Sequence, residues 1–113
     1  MPHFVIEHGG VLDTPDRVRA AMEVVLDRGG SSGVMRREDI KVRAVGYEDF
    51  LLGDGRRGFI HLTVRLLAGR SDEQKEALAI SLREGLAEVF PSSPSISIDI
   101  RDMNPVCYKK RLV

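Results

Sequence analysis

A base for proton transfer at neutral pH must be free and only weakly basic, and the opening Met1-Pro2 offers one. Initiator methionine is ordinarily removed when the second residue is as small as proline, which turns Pro2 into a secondary amine. An α-amino group titrates at about 7.7–8.0. The more basic proline nitrogen needs only partial burial or a nearby cation to come close to working pH. Arg70 stands directly before Ser71-Asp72-Glu73-Gln74, a capping box that opens a helix. Orphan N–H groups at a helix N-terminus favour an anion, so a cation there suggests a carboxylate pocket. The alternative is that Asp72 and Glu73 answer the charge locally and Arg70 is solvated. Lys41 and Arg43 lie two apart in an alternating segment and therefore share a face. If that face looks toward Pro2, they hold its pKa down and bind a second carboxylate.

Other reactive residue types point elsewhere. His3, His8 and His61 have neither the i, i+4 spacing nor the cysteine partner of a metal site, so no metal is expected. His61 reads as an interface or buried hydrogen-bonding residue. Cys107 has no neighbouring base in sequence. Asp54, within Gly-Asp-Gly, reads as turn chemistry. The run Lys109-Lys110-Arg111 reads as a solvated end, or in an assembly as a tail reaching a neighbour's pocket.

The elements that must position these groups are legible from pattern. His3 to Glu7 is a β-branched and aromatic run that predicts a strand beginning directly after Pro2. Thr14-Pro15-Asp16 opens a helix. Its apolar stripe is Val18, Ala21, Met22, Val25 and Leu26, and Gly29 to Gly33 ends it. Ile40 to Val45 alternates like a strand, Gly53-Asp54-Gly55 turns, and Phe59 to Leu67 is the longest strand. After Ser71 comes a second helix with Leu78, Leu82, Leu86 and Val89 on one side, stopped by Pro91 and Pro94. Ile96 to Ile100 is the last strand. Gly58 maps to Pro2 and Ile96 to Ile40 with the same offset, 58 − 2 = 96 − 40 = 56, the signature of a duplicated βαβ unit. Two such units predict a single domain, 1–113, of α+β class: a four-stranded mixed sheet with two helices on one face. In the long strand, Ile60, Leu62, Val64, Leu66 and Ala68 form an aliphatic row to lie under the helices. The opposite row, Phe59, His61, Thr63, Arg65 and Leu67, is mixed and predicts contact with another subunit.

Composition narrows the function. Lys plus Arg and Asp plus Glu number 17 each, which argues against nucleic-acid or membrane-surface partners. Aromatics make up 5% with no Trp, too few for stacking on single strands. A single cysteine excludes an internal disulfide. No segment approaches the ~20 apolar residues of a membrane span, and the opening residues lack a signal-peptide pattern. The expectation is a cytoplasmic protein.

Three stretches carry a family likeness: Pro2-His3-Phe4-Val5-Ile6-Glu7, Ala68-Gly69-Arg70-Ser71, and Asn104-Pro105 followed by Tyr108-Lys109. Together they resemble the 5-carboxymethyl-2-hydroxymuconate isomerases of the tautomerase superfamily, whose members use an amino-terminal proline. The resemblance implies a βαββαβ fold, a homotrimer with sheets facing inward, and a cofactor-independent isomerase acting on a small anionic carboxylate substrate. It implies that Pro2 takes the proton of a dienol hydroxyl and returns one to carbon further along the conjugated system. Arg70 matches the family's carboxylate-binding arginine. Lys41 falls where the compared enzyme has arginine, and Arg43 matches a second arginine. Lysine offers a point charge in place of a bidentate fork, so substrate preference differs, Arg43 takes over the contact, or Lys41 is only surface. Two other readings stand beside this one: an oxalocrotonate- or phenylpyruvate-type tautomerase, and a non-catalytic βαββαβ binding domain.

Overall fold

The computed structural model describes all residues, Met1–Val113. Chain order is β1 (His3–Gly9), α1 (Pro15–Gly30), a 3₁₀ turn (Arg37–Asp39), β2 (Lys41–Gly46), β3 (Phe59–Leu67), α2 (Asp72–Val89) and β4 (Ile96–Met103). The sheet runs β2-β1-β3-β4, with β1–β2 and β3–β4 parallel and β1–β3 antiparallel. Two βαβ units are thus joined through their first strands.

The 56-residue repeat has a structural origin. Ile6 pairs with Leu62 at the middle of the β1–β3 ladder, and 62 − 6 = 56, so a local twofold axis passes between them. The outer strands obey it less closely. His3 pairs with Lys41, 38 residues on, whereas Ile60 pairs with Ile96, 36 residues on. A shift of two leaves every side chain on its own face of the sheet.

Both helices begin as their sequences require. Thr14 accepts the Arg17 N–H at 3.2 Å with Pro15 in the first turn. Ser71 and Gln74 form the reciprocal capping box. The ends differ from expectation. Gly29 and Gly30 do not terminate α1 but are its last turn, capped by Ser31. A Cβ at Gly29 would stand 2.8 Å from the Phe4 ring, so glycine's smallness here serves packing and not termination. In α2 the buried line is Leu78, Leu82, Gly85 and Leu86; Val89 is exposed, and Phe90 closes the core instead.

Alternation along the central strands decides the layers. Phe4 and Ile6 of β1 and Ile60, Leu62, Val64 and Leu66 of β3 are buried under Ala21 and Val25 of α1 and the α2 leucines. Ala68 departs from that row: it is exposed and lies beyond β3. β1 extends to Gly9 and β4 to Met103, further than composition suggests, because Asp102 and Met103 continue the ladder opposite Leu66 and Leu67. The other face of the sheet carries His3, Val5 and Glu7 with their strand neighbours and has no helix over it. No helix is long and apolar enough to cross a membrane.

Candidate active site

Pro2 is buried at the edge of the helix-covered layer, one residue before β1, and its carbonyl accepts the Lys41 N–H at 3.0 Å. It lines a cavity of about 370 Å³ with Met1, Gly33, Val34, Met35, Arg36, Asp39 and Arg70. The walls are therefore the amino end, the loop between α1 and β2, and the β3–α2 junction. Arg70 and Pro2, some seventy residues apart in sequence, meet here.

Arg70 is held differently from the arrangement its sequence position suggests. Its Nε and Nη2 donate to the Val34 carbonyl at 3.2 and 2.7 Å, and Nη1 donates to the Leu67 carbonyl at 2.9 Å. The guanidinium thus turns toward the α1–β2 loop, while Ser71 and Gln74 satisfy each other's backbone at the helix start. Three of five N–H donors fix the cavity wall, and two remain for an anion.

Lys41 and Arg43 share a face, as their spacing requires, but it is the open face, opposite the buried Phe4 and Ile6. Neither lines the cavity. Arg43 Nη1 lies 3.0 Å from His3 Nδ1, and His3 Nε2 lies 2.9 Å from Tyr108 Oη. A guanidinium can only donate, so Nδ1 accepts and Nε2 carries the proton toward the tyrosine. Burial, then the charges of Arg43 and Lys41, hold His3 below its ordinary value and keep the ring neutral.

At the amino end the charges converge. Burial first, then Lys110, Arg70 and Lys41, pull the terminal amine below its usual 8.0, against Asp39, which raises it. Asp39 is itself fixed: Arg36 donates to both its oxygens, at 3.1 and 3.2 Å, which holds the carboxyl below the ordinary range and ionised. It is a counter-charge rather than a proton acceptor. Neither Asp39 nor the cavity wall Val34-Met35 was visible in sequence, because an acid before a strand and two apolar loop residues carry no spacing signal. Lys109, Lys110 and Arg111 are exposed, as a solvated end should be, and the charge of Lys110 also helps to lower its own chain's terminal amine. His61 bonds Ser97 Oγ at 2.6 Å on the open face, and Cys107 is exposed. No group of three or more His, Cys, Asp or Glu residues is placed to hold a metal ion.

A second groove of about 380 Å³ lies between the helices on the far side of Gly33 and Val34. Its only charged wall residue, Arg28, is tied to Glu88 and to the Ser81 carbonyl. The amino-end cavity, by contrast, joins the terminal amine to cations.

Among solved structures, the fold is similar to a 5-carboxymethyl-2-hydroxymuconate isomerase from Deinococcus radiodurans, with TM-score 0.81, 22% identity, and coverage of 97% of this chain and 88% of that one. It is also similar to Pt0534 inactivated by 2-oxo-3-pentynoate, with TM-score 0.84, 16% identity, and coverage of 96% and 90%. A fused 4-OT symmetric trimer gives TM-score 0.81 at 18% identity over 96% and 90%. These likenesses establish a shared architecture. No curated protein matches by sequence. The family model described as 5-carboxymethyl-2-hydroxymuconate isomerase matches residues 2–111, and on that near-complete match the chain belongs to this isomerase family.

Proposed function

We propose that the chain, once Met1 is removed, converts an unsaturated 2-hydroxy (enol) polycarboxylate into the 2-oxo acid, with Pro2 as base and then acid. The neutral imino nitrogen takes the enol hydroxyl proton. The C–O bond becomes a carbonyl as the conjugated double bonds shift, and the resulting prolinium returns a proton to the distal carbon. No net charge or redox change is left behind, so the chain's own groups suffice. The observation that carries this reading is Pro2 buried in a cavity that Arg70 also lines, where burial and three cations depress the neighbouring amine. Pro2 lines the same cavity as that amine, one residue on. Arg70's two remaining donors suit the carboxylate beside the enol. Lys41 and Arg43 suit a carboxylate at the far end of the substrate, reached over the strand edge from the open face.

The family name on the Deinococcus neighbour and the 2-oxo acid chemistry that inactivates Pt0534 both favour an oxo/enol acid substrate. The trimeric 4-OT relatives favour self-association of this chain. The test is direct. Intact mass should show loss of Met1, and 2-oxo-3-pentynoate should add once, on Pro2. Pro2→Ala should lower kcat/KM on enol dicarboxylates by at least about a hundredfold, the usual worth of a positioned acid–base group. Unchanged isomerisation by that variant would remove Pro2 from the reaction. Comparing enols with one, two and three carboxylates separates the readings: a monocarboxylate turned over equally well favours a phenylpyruvate-type tautomerase.

A further inference from the structure

Asp39 is the single carboxylate on the wall of the amino-end cavity, beside Met1, Pro2, Arg36 and Arg70. In a pocket for an anionic substrate such a charge repels what is to be bound, so it needs an offsetting use. Its placement is closely determined. The Asp39 N–H donates to the Arg36 carbonyl at 3.0 Å, which closes the 3₁₀ turn just before β2. Across the same turn Arg36 Nε and Nη2 donate to the two Asp39 oxygens at 3.1 and 3.2 Å. Two residues on, the Lys41 N–H donates to the Pro2 carbonyl at 3.0 Å and ties the turn to the amino end. The Asp39 side chain is 28% exposed against 71% for Arg36, so the carboxylate is the enclosed partner and the guanidinium the outer one.

The other charges acting most strongly on the amino end are cations. Arg70 comes from the β3–α2 junction, Lys41 from β2 and Lys110 from the tail, and all three lower the terminal amine. His3, on β1, is held neutral and adds no charge. Arg36 is answered by Asp39 and, at 3.7 Å, by Glu38. Cations alone would leave a nitrogen that is free but too weakly basic to take an enol proton. A base works best with its pKa near the operating pH. A fixed anion raises it again, and favours the cationic form that must last until carbon is protonated.

We propose that Asp39, held by Arg36, is a positioning residue that sets the proton affinity of the Pro2 nitrogen and stabilises prolinium between its two proton transfers. No proton moves to Asp39. Arg36 keeps the carboxylate ionised, and the proton passes only between Pro2 and substrate. This role rests on Pro2 as the base, but the proton affinity can be read without turnover. It is also separable from that of a structural clamp. Loss of either partner breaks the same ion pair and loosens the same turn, whereas only loss of Asp39 removes the anion.

The test is an NMR titration of the Pro2 nitrogen in full-length protein carrying isotopically labelled proline. Met1 is removed, by an aminopeptidase where the cell leaves it on, and intact mass confirms the loss. Of the five prolines only Pro2 is then an amine, so it alone titrates. Asp39→Asn should lower its pKa by about half a unit or more. Arg36→Gln should leave it level or raise it, because a cation is lost and the carboxylate remains. Asp39→Glu, which restores the charge, should recover most of the wild-type value. The acid limb of kcat/KM on an enol dicarboxylate should move with the nitrogen in each variant. A pKa unmoved by Asp39→Asn, or lowered equally by Asp39→Asn and Arg36→Gln, overturns the proposal. A nitrogen that shifts while the acid limb stays in place keeps the assignment of Asp39 and removes Pro2 as the base. Melting temperatures show whether a variant is folded, and Asp39→Ser decides where Asp39→Asn is unstable.

Discussion

Arg70 shows how one side chain can serve a wall and a ligand together. A residue that only meets substrate should be replaceable at little structural cost, within about 0.5 kcal/mol for an exposed position. Arg70 instead donates three hydrogen bonds to the carbonyls of Val34 and Leu67. Hydrogen bonds from charged donors contribute about 1.5–3 kcal/mol each where buried, and these are partly buried. Arg70→Gln is therefore expected to lose about 1–3 kcal/mol in urea unfolding, and to become more readily cleaved by protease near Gly33. Stability equal to wild type would mean the loop is held by other contacts. The histidines give a second expectation. His3 is lowered from 6.5 by burial and then by Arg43 and Lys41, and His8 by burial alone. Below 6.5 the unfolded chain binds protons that the folded chain refuses, so this stability is whole above 6.5 and fades as pH falls past it. The melting temperature should be level near pH 7–8 and drop below pH 6.5. His8→Gln should flatten the drop, and a melting temperature that climbs on acidification would reverse the assignment.

At the scale of elements, local pattern and long-range packing divide the information. Both helix starts, the four strands and the aliphatic row of β3 were legible because capping and periodicity are local. Gly29 was misread as a stop because its neighbour, Phe4, lies on another element. Propensity alone says Gly29→Ala should stabilise α1 by about 0.8–1.0 kcal/mol. Packing says otherwise: the new Cβ meets Phe4 Cζ at 2.8 Å, and that ring is wholly buried and cannot retreat. Overpacking of this kind costs about 1–3 kcal/mol, so the variant should unfold at lower denaturant; a more stable variant would show the core to be looser than this. The candidate site follows the same division. Pro2 stands out in sequence because of its place, but Arg70's turn toward Val34 and the ring of His3 against Tyr108 depend on contacts 36 and 105 residues apart.

The whole molecule leaves more unfinished than its core does. Both sheet edges, β2 and β4, are unpaired, and the face opposite the helices has no layer of its own over it. Edge strands with free backbone donors and acceptors invite pairing with another chain. Val45 and Tyr47 at the β2 edge are 45% and 42% exposed, and Leu51 in the following loop is 99% exposed. Zero net charge, with a pI of about 6.8, supplies no repulsion to keep copies apart near neutral pH. These features together predict that the 12.6 kDa chain self-associates at micromolar concentration, which sedimentation velocity at pH 7 and physiological salt would detect as a species several times the monomer mass. Val45→Lys adds a charge at the exposed β2 edge without touching the buried layer, so it should shift that species toward monomer while secondary structure persists. Two results would count against the expectation: monomer at every concentration of the wild type, or an assembly that Val45→Lys leaves intact and that instead dissociates on changes confined to the helix face. Either would mean that the exposed edge and open sheet are solvated in the working protein, and that the amino-end cavity is complete within one chain.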